Sequence, residues 1–227
     1  MKKRLFLINT INKFMDIIYT PFAKPFMDEY PEVEVFNICD DSLLVDTLKN
    51  GNMPNEVAAR LVNYVFSAER AGAGAIMFTC TSVSEIAKHA RRIASIPVYS
   101  IVEPMVKQAV NAGRKIGILG TLPTSPLAIV PLLKEEAGAL GKAIEIVTRV
   151  VEGAYDILIS GDVKRHDDMV NAELRELAKE VDVIVFAQIS MSRLSHEDCS
   201  KPVYKIGKSG FDEAAEILGC KRTSLSI

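Results

Sequence analysis

Cys80-Thr81-Ser82 sets one thiol and two hydroxyls directly behind the apolar run Ala75–Thr79. A cysteine between a strand and the start of the next helix sees oriented N–H groups and a partial positive charge, which favour the thiolate. Such a group takes up and returns a proton near neutral pH, or attacks as a nucleophile. The plainer alternative is a buried structural cysteine. Cys39, Cys199 and Cys220 have no such surroundings. Other polar or small residues follow apolar runs: Asn9-Thr10 behind Leu5–Ile8, Gly120-Thr121 behind Lys115–Leu119, and Gln188-Ile189-Ser190 behind Val183–Ala187. The hydroxyls of Thr121 and Thr124, with the amides of a helix start, suit an anion, although capping with Pro123 or Pro126 in the first turn explains the same residues. The turn lacks the glycines and lysine of a P-loop.

The histidines add little. His89 reads as the solvated face of a helix, His166 as part of a charged loop or helix start, and His196 as a residue beyond Gln188. No His/Cys/Asp grouping has zinc spacing, and no Ser-His-Asp order can be argued.

These residues need elements to hold them. Short apolar runs at Leu5–Ile8, Val33–Ile38, Ala75–Thr79, Pro97–Ile101, Lys115–Leu119, Ile144–Thr148, Val183–Ala187 and Pro202–Ile206 alternate with helical segments. Ala58, Leu61, Val62, Val65 and Phe66 share one helical face, with Asn55 as N-cap and Gly72 as stop. The alternation predicts parallel sheets covered on both faces. The runs also repeat in order. Gly74–Ser82 matches Asp182–Ser190 at a separation of 108 residues, Pro97–Ile101 matches Pro202–Ile206 at 105, and Leu7–Thr10 matches Ile118–Thr121 at 111. Glu34-Val35 and Glu145-Ile146 also lie 111 apart.

Four matches in one order predict an α/β protein of two pseudo-symmetric βα domains with parallel sheets and an active site in the interdomain cleft. The first domain comprises 1–102 with 208–227, whose C-terminal helix packs back, and the second 103–207. Ligands of open parallel sheets bind outside the carboxyl ends of the strands, so Asn9, Thr10, Cys80, Thr81, Ser82, Thr121, Gln188 and Ser190 are expected to share that cleft. One continuous doubly wound sheet is the alternative.

Composition narrows the function classes. Among 227 residues, 27 basic and 29 acidic side chains leave a net charge of −2, without the basic footprint of a nucleic-acid or membrane-surface binder. Four cysteines without a CxxC pair fit a reducing cytoplasm. The stretch behind Met1-Lys2-Lys3-Arg4 stops at Asn9, short of the roughly 7–15 apolar residues of a signal segment.

The duplicated βα half, Cys-Thr-Ser after the third strand, Gly-Thr-Leu-Pro-Thr-Ser after the fifth and the Gln-Ile-Ser repeat resemble the aspartate/glutamate/hydantoin racemase superfamily across nearly the whole chain. The resemblance implies a homodimer that needs no metal or other cofactor and acts on a small carboxylate or amino acid. It also implies two cysteines, one removing the Cα proton and one delivering a proton to the opposite face. Cys80 matches the first cysteine, Thr81 and Ser82 the carboxylate-holding pair behind it, Asn9 the polar residue after the first strand, and Thr121 and Thr124 the anion-binding turn. Gln188 stands where the second cysteine belongs, and Asn9-Thr10 replaces the Asp-Ser of amino-acid racemases. Three readings follow: a racemase-like isomerase using Cys80 as acid/base; a single-cysteine lyase, decarboxylase or cysteine-nucleophile isomerase of dicarboxylates; and a non-catalytic carboxylate-binding protein.

Overall fold

The computed structural model describes residues 2–50 and 53–221, apart from the side chains of Leu48 and Ser82. The chain divides into two compact units, Met1–Val102 with Gly207–Ile227, and Glu103–Ile206.

In the first unit, β1 (Lys3–Asn9), β2 (Val33–Cys39), β3 (Ala75–Phe78) and β4 (Val98–Ser100) form a parallel sheet in the order β2-β1-β3-β4. A π-helix (Met15–Ala23) runs into α1 (Lys24–Glu29). Then come α2 (Ser42–Asn50), α3 (Asn55–Arg70), a 3₁₀ turn (Thr81–Val83) and α4 (Ser84–Arg91). In the second unit α5 (Glu103–Ala112) leads to β5 (Lys115–Gly120), α6 (Thr124–Ala139), β6 (Glu145–Val150), α7 (Ala154–Ile159) and α8 (Val163–Ala178). Then follow β7 (Val183–Phe186), a 3₁₀ turn (Ile189–Arg193) and β8 (Val203–Tyr204). Its sheet order is β6-β5-β7-β8, again parallel. The last helix, α9 (Lys208–Ile217), belongs to the first unit, where Tyr99 Oη donates to Gly210 O at 2.9 Å.

The central strands are buried on both faces, which is why they read as unbroken apolar runs: Leu5, Leu7, Ile8 and all of β3 and β7 are buried. Edge strands β2 and β6 mix polar and apolar residues and are half-exposed. The sequence repeat is also a repeat of register. Leu5 pairs with Ala75 and its counterpart Ile116 with Val183; Ile76 pairs with Val98 and Ile184 with Val203; Arg4 pairs with Glu34 and Lys115 with Glu145. The last two pairs also carry the same ion pair, at 3.6 and 2.8 Å.

Two local expectations change. Asn55 is the first residue of α3 and the N-cap is Pro54, whose extended backbone starts the helix without a side-chain bond. The buried stripe of α3 runs through Val57, Leu61, Val65 and Ala68, with Ala58 and Val62 on its flank. Gly72, at φ +80, does follow the helix end. A left-handed backbone also requires glycine at Gly207 (φ +114), the N-cap of α9; a Cβ there would lie 2.5 Å from the Phe22 ring. Among the described residues no helix is long and apolar enough to cross a membrane.

Asp40 ties the end of β2 to α2 and α3. It accepts from Ser42 N at 3.2 Å, Ser42 Oγ at 2.7 Å, Tyr64 Oη at 2.7 Å and the Arg60 guanidinium. Burial pushes its carboxyl up, but the bonds from Ser42, Tyr64 and Arg60 outweigh that and hold it below the usual carboxylate range. A depressed folded pKa contributes stability above the unfolded value of about 3.9, and that contribution is lost as pH falls through the folded value. Arg60 is half-exposed and its charge is partly screened, so Asp40→Asn should cost about 1–2 kcal/mol at pH 7. In urea unfolding, the gap from wild type should hold between pH 7 and 5 and shrink below about pH 4. An equal gap at pH 7 and 3.5 would contradict this account.

Candidate functional site

In each unit the strands run parallel, so their carboxyl ends gather on one edge of the sheet. At the first edge, Asn9 closes β1 and is fully buried. Its Nδ2 donates to Asn37 Oδ1 at 3.2 Å, and its Oδ1 accepts from Thr79 Oγ1 at 2.7 Å. The side chain thus braces the ends of β1, β2 and β3. Thr10 follows, also buried, with its hydroxyl lacking a hydrogen-bond partner among the described residues. Leaving a buried hydroxyl unmet costs free energy, so this oxygen is suited to a ligand.

Cys80 lies one residue past the neighbouring strand β3 and Thr79, half-buried, on extended backbone (φ −118°, ψ 130°). Its thiol has no hydrogen-bond partner among the described residues. The chain turns at once into the 3₁₀ segment, and the N-cap positions of that turn and of α4 are Cys80 and Val83, without side-chain bonds. Ser84 instead bonds the hydroxyl of Ser100 at 2.6 Å and approaches Cys80 O at 3.4 Å, which holds the turn under the cysteine. Thr81 is half-buried in that turn; the side chain of Ser82 lies outside the described residues.

Cys39 differs from its expected setting. It ends β2, beside Asn9 in the ladder, and is exposed. Its Sγ donates to Ile11 O at 3.3 Å; burial, then the charges of Asp41 and Asp40, push its thiol up.

At the second edge, Gln188 occupies the place of Cys80. Its backbone is extended in the same way (φ −133°, ψ 140°) and a 3₁₀ turn follows. Its Oε1 accepts from Thr121 N at 2.6 Å and Thr121 Oγ1 at 2.9 Å. Thr121 is therefore buried and satisfied, whereas its counterpart Thr10 is buried and unsatisfied. Gly120, the counterpart of Asn9, lets α6 approach: an added Cβ would meet Pro126 Cδ at 3.3 Å. Thr124 is the exposed first residue of α6 and forms no cap; Ser190 is half-buried in the 3₁₀ turn.

The structure also brings forward Lys205, which sequence reasoning passed over, and two histidines to which it gave little weight. Lys205, just past β8, donates to Leu194 O at 2.5 Å and lies 5.6 Å over the Phe186 ring, and burial lowers its pKa. His196 stands edge-on to the same ring, its pKa lowered by burial and then by Lys205. Lys205 replaces Ser100 in the repeat, a sequence signal available from the matched strands. His166 lies at the start of α8, as the sequence allowed, and is fully buried there, with Nδ1 2.7 Å from Asp167 Oδ1, and Arg193 Nη2 donates to that oxygen at 2.8 Å. Burial pushes the Asp167 carboxyl up, but Arg193 and His166 more than compensate and lower it. This cluster fastens the turn behind Gln188 to α8. Among the described residues no group of three His, Cys, Asp or Glu could hold a metal ion.

Two parallel α/β halves of one strand order, each ending its third strand in a polar residue and a 3₁₀ turn, define a duplicated α/β class. The chain belongs to the Asp/Glu/hydantoin racemase family, whose model matches residues 23–214, making it a racemase-superfamily enzyme. Its fold is similar to a Yersinia pestis protein described as a candidate Asp/Glu racemase (TM-score 0.75, 20% identity, 95% of this chain and 99% of that one). It is also similar to allantoin racemase from Klebsiella pneumoniae (0.66, 17%, 99% and 92%). Glutamate racemase from Bacillus anthracis is a third such structure (0.67, 15%, 96% and 82%). No protein of curated function matches the sequence significantly.

Proposed function

We propose that the protein is a cofactor-independent isomerase acting at the α carbon of a small carboxylate or amino acid, with Cys80 as acid/base. The carrying observation is the pairing of a half-buried thiol at the end of β3 with the hydroxyl of Thr10 at the end of β1, neither of which has a hydrogen-bond partner among the described residues. The Cys80 thiolate takes the Cα proton as S–H, the C–H electron pair passes into the carboxylate as an enediolate, and proton return to carbon regenerates the thiolate. Thr10, Thr81, Ser82, Thr124 and Ser190 are the proposed donors to substrate oxygens. Asn9 supports them through its brace, and Thr121 through Gln188. By the family resemblance the enzyme works as a homodimer, which molar mass measured by light scattering tests, and its cysteine usage fits the cytoplasm.

Gln188 favours a second reading. An amide shuttles no proton near neutrality, so a single-thiol lyase or decarboxylase, delivering a proton to one face only, fits the same residues. Deuterium incorporation at Cα in D₂O, measured over amino acids and dicarboxylic acids, separates the two. Exchange with inversion supports the isomerase and exchange or product with retention the lyase; binding without either leaves a carboxylate-binding protein.

Binding itself is measurable first. A carboxylate at 100 times its Kd adds about 2.7 kcal/mol of apparent stability. At roughly 2–4 °C per kcal/mol for a chain of this size, Tm should rise about 5–10 °C. A screen in which phosphates shift the melt and carboxylates do not would overturn the substrate class.

A further inference from the structure

The side chain of Gln188 has only one permissible orientation. A backbone N–H can donate but never accept, so the Thr121 N–H at 2.6 Å requires the amide oxygen to face it. The Thr121 hydroxyl donates to the same oxygen at 2.9 Å. Turning the amide over would set an NH₂ group against an N–H. Nε2 therefore points away from Thr121, and it donates to no described residue although the side chain is only half-buried. The turn behind it is held as well: Ser192 Oγ donates to Ile206 O at 2.5 Å, Lys205 Nζ to Leu194 O at 2.5 Å, and Arg193 Nη2 to Asp167 Oδ1 at 2.8 Å.

An amide fixed this way offers two N–H donors and no lone pair on its free side. It favours an acceptor oxygen and disfavours an ammonium, which is itself only a donor. We infer that Gln188 Nε2 is an oxygen-recognising donor that binds a carboxylate or carbonyl oxygen of the ligand, and that Thr121 is the positioning residue that fixes its orientation. The inference rests on the carboxylate reading above and deepens it: the group received at the second sheet edge is an acceptor oxygen, not the α-amino group. Gln188 takes no proton in this role. It polarises the oxygen it holds.

The test follows the Gln188 side-chain NH₂ resonances in ¹⁵N-correlation spectra, identified by their absence in Gln188→Ala, while succinate, L-aspartate and, as a cation control, putrescine are titrated. Succinate or aspartate should move these resonances along a saturation curve that gives the calorimetric Kd, and putrescine should leave them in place. Gln188→Glu, which turns a donor into an acceptor anion, should weaken succinate at least about 100-fold; Thr121→Val, which frees the amide to turn, should weaken it about 3- to 10-fold. Succinate binding that leaves the Gln188 resonances unmoved, or binds Gln188→Glu as well as wild type, overturns the inference while the carboxylate reading survives. If neither carboxylate binds the wild-type protein at millimolar concentration, both fail. The wild-type titration decides the point even where a variant does not fold.

Discussion

Cys80→Ala is expected to reduce solvent deuterium exchange at the substrate Cα by at least about 10²-fold, the lower end of what a positioned acid/base contributes. The loss should appear in kcat while carboxylate binding persists, because alanine removes the proton carrier and leaves the hydroxyls and the Gln188 amide. The fold should tolerate the change. Cys80 sits at the margin of its core cluster, its Sγ has no hydrogen bond to lose among the described residues, and the turn below is held by Ser84 and Ser100. Alkylation offers an independent check. Exposure alone would make Cys39 the first cysteine to react with iodoacetamide, but burial and the neighbouring Asp41 and Asp40 raise its pKa, and the neutral thiol is the weaker nucleophile. Burial likewise raises Cys220. Labelling at neutral pH should therefore fall on Cys80 and be blocked by a bound carboxylate. A Cys80→Ala enzyme that exchanges within tenfold of wild type would remove the thiol from the mechanism.

The strands were readable because strands covered on both faces cannot afford polar residues, and β1, β3, β5 and β7 are such strands. The repeat carried more than strand positions. Separations of 111 residues for the first two strands, 108 for the third and 105 for the fourth reproduce the observed pairing of Leu5 with Ala75 in that of Ile116 with Val183. The π-helix Met15–Ala23 was not readable: its i→i+5 bonding has no residue signature of its own, and Pro21 inside it argues against any helix. At the site, the sequence marks which residues close the strands but not which of them satisfy one another. Asn9 and Thr10 look alike as polar strand ends, yet Asn9 is consumed by Asn37 and Thr79 and Thr10 is left unmet. That distinction depends on three strand ends meeting in space. The pairing of Gln188 with Thr121 likewise spans 67 positions. The burial of His166 was within reach: it lies four residues before Val170 and eight before Leu174, on the buried face of α8, but its charged neighbours pointed only to a charged loop or helix start.

Gln188→Cys should give the protein what its sequence lacks for inversion, a second thiol at the strand end equivalent to Cys80. The extended backbone at 188 is close to that at 80 and also leads into a 3₁₀ turn, so the new side chain leaves the strand in the same way. By the family resemblance a thiol here delivers a proton to the face opposite the one Cys80 deprotonates, so the variant should gain or increase exchange with inversion. The substitution also has a cost. The buried Thr121 N–H and hydroxyl lose the oxygen they share, and an unmet buried donor costs about 1–3 kcal/mol. A loss of that size should appear in urea unfolding of the unliganded protein. Without the amide's two donors the carboxylate should bind more weakly, so KM should rise while the fraction of inverted product rises with it. Chiral chromatography of the product formed in D₂O measures that fraction directly, and the double variant Cys80→Ala/Gln188→Cys should lose it. If the wild-type protein already inverts its substrate at ordinary enzymatic rates and Gln188→Cys slows it, the second proton donor lies elsewhere. Ser190 and His196, both carried on the segment that follows Gln188, are then the groups to substitute.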